Sequence, residues 1–465
     1  MLNRRLFLKT AGAAAITSAS MVGRPISFNA HAANTSGYKA LVCVFFLGGL
    51  DNHDVLLPYD QASYTSFATA RQSLLNRQGA ARQLNALLPI VPTEPTILGG
   101  RLVALPPEMP QMKALFDQGR AAIVANVGPL IEPTTRATFE SGAARVPPRL
   151  FSHNDQQATW QASAPEGAQF GWGGLFADAV LGSGANATSP EFTTIASTEV
   201  GPFLTGRTAR AYNVDVGGAA TVEALNGLRG NDLSSDERRI LEGLQQQLRA
   251  DNYRGTHILE RDFADAVNGG FRSNATYDQA RASGNALSTS FPGTPLGQQL
   301  RSVAETIAVR GQLSVTRQVF YVGIGGFDTH SAQANSLPAL LGQIDGGIAA
   351  FYTAMQELGV ANDVTLFTAS DFGRTLAVNG DGTDHGWGGH SFVVGGSVRG
   401  KQIYGSIPDF SLGHDADSGG GRLIPSVSVE QFAAPLGKWF GLTDSELSAA
   451  LPNLANFDAN QVPFL

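Results

Sequence analysis

Cysteine and charge are both scarce in this chain of 465 residues. The single cysteine, Cys43, has no intramolecular disulfide partner and lies in an apolar run, where we expect a small buried side chain. Charged residues make up 15% of the sequence, below the roughly 25% of an average soluble domain. The formal net charge is −7 and no basic cluster is present, so we expect no nucleic-acid partner.

Several familiar catalytic signatures are absent as well. The sequence has no H-E-x-x-H zinc motif, no G-x-S-x-G turn, no Walker sequence and no G-x-G-x-x-G after a predicted strand. Sulfatases of the familiar type need Cys or Ser in a C/S-x-P-x-R context, whereas Cys43 is followed by Val-Phe-Phe-Leu.

The N-terminus has the pattern of a twin-arginine export signal. Residues 3–9 (NRRLFLK) resemble S/T-R-R-x-F-L-K, and a weakly apolar stretch precedes the A-x-A cleavage pattern that ends at Ala32. Cleavage after Ala32 removes four basic residues and no acidic ones, so Lys and Arg fall from 32 to 28 against 39 Asp and Glu, and the net charge falls from −7 to −11. The alternative is an amphipathic helix of the mature protein.

We expect a periplasmic or secreted protein with no stable membrane span after cleavage. The apolar stretch of the signal is too short and too rich in Ala and Ser to remain as a span. Residues 33–465 then form an α/β domain with a mainly parallel sheet between helices, because strand and helix patterns alternate at both ends of the chain. The predicted strands are 39–47, 121–127, 317–324, 364–369 and 391–395, and the predicted helices are 108–118, 295–309, 336–358 and 428–439.

The middle of the chain has a different composition. Residues 182–232 and 265–296 are rich in small and polar residues, and between them a capping box at Ser234 predicts a helix to about residue 251. We interpret 180–295 as an inserted cap over the active-site end of the sheet, with a flexible surface excursion as the alternative. Residues 394–400 connect two strands, which we expect to pair as a hairpin.

Three of the predicted strands are apolar runs that are followed by residues of types that bind metals. Residues 41–47 precede Asp51, residues 318–324 precede Asp328 and His330, and residues 364–367 precede Asp371. Ligands of open α/β sheets bind beyond the carboxyl ends of parallel strands, so these side chains should meet. Carboxylate oxygens with imidazole nitrogens suit zinc, manganese or calcium.

Each of these residues also has an ordinary structural alternative. Asp51 could belong to an Asx-rich turn with His53 and Asp54, and Asp371 could cap a helix. His385 lies in a glycine-rich loop beside Asp384, which we interpret as its orienting partner or a second ligand.

Two further residues are candidates for direct chemistry. Arg374 could bind an anionic group or simply pair with a carboxylate. Ser152 could be a nucleophile or the N-cap of the next helix. Thr134 and Thr135 are reserve candidates for the nucleophile, and attack by water is a further alternative.

Seven ordered motifs identify the chain as a member of the exported bacterial family known as domain of unknown function 1501: GGLD (48–51), SHNDQQATWQ (152–161), GWGGL (171–175), GGFDTHSAQ (325–333), SDFGRT (370–375), GTDHG (382–386) and KQIYG (401–405). Two positions depart from the family pattern, since Asp371 stands where Glu is usual and His53 with Asp54 replaces less polar residues. The family is similar to the alkaline phosphatase-like superfamily, whose members build a two-metal site at strand ends.

This resemblance implies a set of site residues and a reaction. Asp51, Asp328, His330, Asp371 and His385 match the superfamily's metal ligands by order along the chain. Phe372 follows Asp371 where the superfamily often has His, which leaves one ligand unaccounted for. The implied protein is an exported hydrolase of phosphate or sulfate esters that uses one or two divalent metal ions, with Ser152 as nucleophile and Arg374 holding the anionic substrate.

The competing hypothesis is a non-catalytic exported protein that keeps the fold and binds another exported protein. Under that hypothesis Asp51, Asp328 and Asp371 should point apart or pair with cationic side chains.

Overall fold

The computed structural model describes residues 32–198, 201–215, 217–219, 234–236, 239 and 258–465. The predicted export signal lies outside these residues except for Ala32, and so does most of the helix predicted at 234–251. The strands of the described residues are β1 (Lys39–Phe46), β2 (Leu57–Pro58), β3 (Leu88–Ile90), β4 (Val103–Leu105), β5 (Ala121–Gly128), β6 (Thr194–Ala196), β7 (Tyr212–Asp215), β8 (Gly218–Ala219), β9 (Arg317–Ile324), β10 (Val364–Ser370), β11 (Arg374–Val378), β12 (Thr383–His385), β13 (Gly389–Gly395), β14 (Ile403–Gly405) and β15 (Val427–Ser428).

The helices alternate with these strands along the chain. They are α1 (Gln61–Gln78), α2 (Pro110–Asp117), α3 (Arg136–Glu140), α4 (His153–Ala162), α5 (Trp172–Gly182), α6 (Ile258–Ser283), α7 (Pro295–Ala308), α8 (Gln333–Glu357), α9 (Val429–Phe440) and α10 (Asp444–Ala450). Short 3₁₀ helices cover Asn52–Asp54, Gly79–Arg82, Leu84–Ala86, Pro95–Leu98, Pro190–Phe192, Pro202–Leu204 and Leu454–Asn456. None of the described helices is long and apolar enough to cross a membrane.

The main sheet is large, mixed and mostly parallel. Its strand order is β14-β5-β13-β10-β1-β9-β6-β7-β8, with β15 also paired to β5. Only β13 and β8 run against their neighbours within this order. The expected α/β fold, a mainly parallel sheet between helices, is confirmed.

Strand β1 shows why the sheet is covered on both faces. Its alternate residues Val42 and Val44 lie in one apolar cluster with side chains of α2, α7 and α8. Cys43 and Phe45 point the other way, into a second cluster with side chains of α4, α5 and α9. Because both faces are buried, the strand has a continuous apolar sequence and not an alternating one, and Cys43 is fully buried as expected.

The three strands that were expected to end together are neighbours in the sheet. In the registers of β1 with β9 and with β10, Phe46 lies opposite both Ile324 and Ser370. The chain therefore leaves these three strands side by side at one edge, and the residues that follow share that edge.

Two strands within 180–295 belong to the main sheet, since β6 pairs with β9 and β7 with β6. One expectation is wrong. The strands on either side of 394–400 do not pair with each other as a hairpin, because β13 and β14 both pair with β5. Each of these pairings joins segments far apart in sequence.

Candidate metal centre

A glycine after β1 allows the loop that follows a neighbouring strand to come close. Gly48 has φ +113°, and a Cβ atom there would lie 2.4 Å from the backbone nitrogen of Asp328. Only glycine combines that conformation with so close an approach. The loop that carries Asp328 therefore crosses directly over the end of β1.

Asp328 is the centre of a group of three imidazoles. Its Oδ1 lies 3.1 Å from Nε2 of His330 and 3.3 Å from Nε2 of His385, and its Oδ2 lies 3.6 Å from Nε2 of His153. The Nε2 atoms of His330 and His385 are 2.8 Å apart. His153, Asp328 and His385 offer ligand atoms that all lie within 4.8 Å of one another, so they could hold a metal ion.

The other ring nitrogen of each histidine has its own acceptor. Nδ1 of His153 donates to Asp371 at 2.7 Å, and Nδ1 of His385 donates to the carbonyl oxygen of Phe151 at 2.7 Å. Nδ1 of His330 lies 3.3 Å from Asp384. A proton fixed on Nδ1 leaves the lone pair of Nε2 free, which is the arrangement usual for metal-binding histidines.

The Nε2 atom of His153 lacks a partner. It is buried and has no hydrogen-bond partner among the described residues, and a buried polar atom without a partner is costly. The Nε2 atoms of His330 and His385 lie 2.8 Å apart, so one of them donates to the other when no cation is bound. A cation between the rings would give all three nitrogens a partner, so the donor set fits a metal ion.

The surroundings shift the pKa values of the ligands in different directions. Burial lowers the pKa of His385, and the charges of His153, Arg374 and His330 act in the same direction. Partial burial of Asp328 opposes its ionisation, but the hydrogen bond and charge of Arg374 outweigh that and hold its pKa below the usual value. The hydrogen bond to Asp371 raises the pKa of His153.

The backbone before α4 is strained where it meets this group. Arg149 and Phe151 have φ of +53° and +71° without being glycine. Such conformations are costly and are found where function requires them. Here the turn directs the Phe151 carbonyl at His385 and brings His153 to the first position of α4.

The chain belongs to the family described as "Protein of unknown function (DUF1501)", which it matches over residues 38–451. No curated protein matches the sequence. The family membership expected from the motifs is therefore confirmed.

Several solved structures are similar to this chain at low sequence identity and low TM-score. PsFucS1 sulfatase from Pseudoalteromonas sp. is 11% identical with a TM-score of 0.34, covering 92% of this chain and 70% of its own. The C-terminal periplasmic domain of EcEptC from Escherichia coli is 10% identical with a TM-score of 0.33, covering 93% and 88%. A mutant of alkaline phosphatase PafA is 10% identical with a TM-score of 0.25, covering 73% and 64%.

In this DUF1501 protein the expected ligands separate into two sets. Asp328, His330 and His385 come together, whereas Asp371 lies behind His153. Asp371 is fully buried, and its Oδ2 accepts hydrogen bonds from His153, from the Gly48 amide at 3.0 Å and from Gln157 at 2.8 Å. Asp371 therefore positions the ring of His153 through Oδ2, while its buried Oδ1 has no hydrogen-bond partner among the described residues.

Asp51 has its own partners and is not among the clustered metal-ligand side chains. It forms a buried ion pair with Arg71 and accepts hydrogen bonds from Gln333 and from the amide of His53. The latter bond caps the 3₁₀ helix Asn52–Asp54, which is the Asx turn of the structural alternative. Its neighbours His53 and Asp54 bind the Gly421 carbonyl and Arg82, respectively.

Arg374 is not free to bind an anion. Its side chain is fully buried, and its guanidinium donates to Asp328, Thr383 and the carbonyl of Gly48. The structure thus gives Arg374 the alternative role, in which it pairs with a carboxylate. Its pKa is lowered by burial.

Ser152 occupies the N-cap position of α4 but makes no capping bond. Its hydroxyl donates instead to Oδ2 of the buried Asp155 at 2.9 Å. The neighbours of Ser152 on both sides, Phe151 and His153, contact the imidazole group.

Sequence reasoning missed His153 as a candidate ligand. It was noted only as part of the motif around Ser152, and no predicted strand ends there. The usable signal was its place at the start of a helix within the longest family motif. The three strand ends alone could not indicate that a fourth segment joins them.

Proposed function

We propose that this protein is an exported hydrolase of phosphate or sulfate esters whose divalent metal ion is held by Asp328, His153, His330 and His385. The observation that supports this most is the orientation of three Nε2 atoms toward Asp328, each ring being fixed through its Nδ1. A set with three nitrogens favours zinc over calcium. When bound, such an ion stabilises negative charge on the oxygens of an ester.

The residues around the ligands keep them in position. Asp371 holds His153, the carbonyl of Phe151 holds His385, and Arg374 holds Asp328. Two of these three partners are buried side chains, so the ligand geometry is set before any substrate arrives, as catalysis requires.

Ser152 is the proposed nucleophile. Its hydroxyl already donates to Asp155, a buried carboxylate that can take the proton as the serine oxygen bonds to the phosphorus or sulfur atom. The bond from that atom to the ester oxygen breaks, and the alcohol leaves with a proton from water. Thr135 is committed to the capping box of α3, and Thr134 donates to the carbonyl of Glu132. Direct attack by water is the alternative, and loss of the serine hydroxyl distinguishes the two.

The second candidate function is a binding protein that lacks activity. Two ion pairs favour it, since Asp51 pairs with Arg71 and Asp328 with Arg374. It does not account for the convergent imidazoles. Under this hypothesis the partner is another exported protein, and under the first it is a small anionic ester.

A hydrolysis assay tests the proposal. The purified protein, stripped of metal and then reloaded with Zn²⁺ or Mn²⁺, is offered phosphate monoesters, phosphate diesters and sulfate esters with a chromogenic leaving group. We expect metal-dependent hydrolysis of one class that is lost in His385→Ala and kept in His414→Ala, since His414 lies outside the group. Absence of hydrolysis from every reloaded sample would favour the binding protein.

A further inference from the structure

We propose that the guanidinium of Arg71 takes the place of a second metal ion at Asp51, so that the site holds one divalent ion and not two. This inference rests on the proposed function, because it concerns the number of ions at that site. It departs from the two-metal arrangement that the superfamily resemblance implies.

The carboxylate of Asp51 is already fully engaged by the protein. Its side chain is buried, Oδ2 accepts from both Arg71 and Gln333, and Oδ1 accepts from the His53 amide at 3.1 Å. A divalent ion could bind this carboxylate only by displacing the guanidinium. The charge that a metal would supply is thus already present in the fold.

Arg71 is committed to Asp51 at a cost to the fold. Its Nε and Nη1 atoms are buried and lack hydrogen-bond partners among the described residues, while Nη2 pairs with Asp51 and also donates to the carbonyl oxygen of Thr375 at 3.5 Å. Helix α1 departs from helical geometry at this residue, with φ −113° and ψ 17°. A buried guanidinium that is poorly hydrogen-bonded is unfavourable unless its charge compensates another.

Asp51 lies outside the group of side chains that already offers ligands to a metal ion. Within the described residues, the metal-ligand side chains that cluster in a group of three are His153, Asp328 and His385, and Asp51 is not among them. The charge of Asp51 also acts on Arg374, a second guanidinium in this part of the protein. Two fixed guanidinium charges repel a second dication.

The test is the number of metal ions per chain, measured by mass spectrometry after loading with excess Mn²⁺ or Zn²⁺ and gel filtration. We expect one ion in the wild type, one in Arg71→Lys and one in the double variant Asp51→Asn/Arg71→Met, which removes both charges together. In Arg71→Met the buried Asp51 is left uncompensated. We expect a lower thermal midpoint that added Mn²⁺ raises, with binding of a second ion.

The outcomes separate this inference from the proposed function. Two ions in the wild type, loss of the ion in the double variant, or an Arg71→Met protein that Mn²⁺ neither stabilises nor binds twice would overturn the inference and leave the hydrolase proposal standing. A wild type without any ion would overturn both.

Discussion

The buried carboxylate of Asp371 accepts a hydrogen bond of 2.7 Å from Nδ1 of His153, a residue 218 positions earlier in the chain. Asp371 directly follows β10 and was expected to bind a metal. In the structure its Oδ2 fixes the ring whose Nε2 faces Asp328. This contact gives the carboxylate a positioning role toward His153.

Loss of this carboxylate should weaken metal binding without abolishing it. In Asp371→Asn the side chain no longer holds the Nδ1 proton of His153 with a negative charge. We expect the dissociation constant for Zn²⁺ to rise about 10- to 100-fold, the usual effect of removing such a partner. Competition with a chelator measures it, with Asp444→Asn as the control because Asp444 is 90% exposed. Equal affinities in the wild type and Asp371→Asn would contradict this role.

Removal of the Ser152 hydroxyl should affect turnover and leave the metal in place. We expect Ser152→Ala to lose roughly 10²-fold or more in turnover, as when a group of the reacting machinery is removed, with unchanged metal content. Thr134→Ala is the matched control and should behave like the wild type. Retained turnover in Ser152→Ala would indicate attack by water.

Acid should destabilise the protein through His53. Burial lowers the pKa of this residue to about 3, and the charge of Arg71 contributes. The unfolded chain takes up a proton near pH 6.5 and the folded chain does not, so stability falls as the pH decreases from 6.5 toward 3, by about 1 kcal/mol per pH unit. Urea unfolding at pH 7, 5 and 4 should show a smaller loss in His53→Gln than in the wild type. Identical losses would show that His53 does not contribute.

The central strands of the sheet could be predicted because each one is encoded by a local pattern in the sequence. Residues 317–324 were expected as a strand and form β9 with the same bounds, since an apolar run ends there at two glycines. The position of Asp328 and His330 at this edge also followed from the strand pattern, whereas His385 was a candidate because of its glycine-rich loop and the superfamily resemblance.

The remaining features depend on contacts that no local pattern records. Arg71 lies within α1, and nothing in the local sequence indicates that its side chain forms an ion pair with Asp51. Strands β13 and β14 are close in sequence but both pair with β5 and not with each other. His153 follows a strained turn, and its approach to Asp328 depends on that turn.

Metal content is the measurement that tests the central claim most directly. The purified wild type is compared with His153→Ala, His385→Ala and the control His414→Ala by mass spectrometry, after equal exposure to Zn²⁺. The account predicts one ion per chain in the wild type and the control, and loss of that ion in the two ligand variants. A wild type that binds no ion, or ligand variants that keep it, would contradict the metal centre.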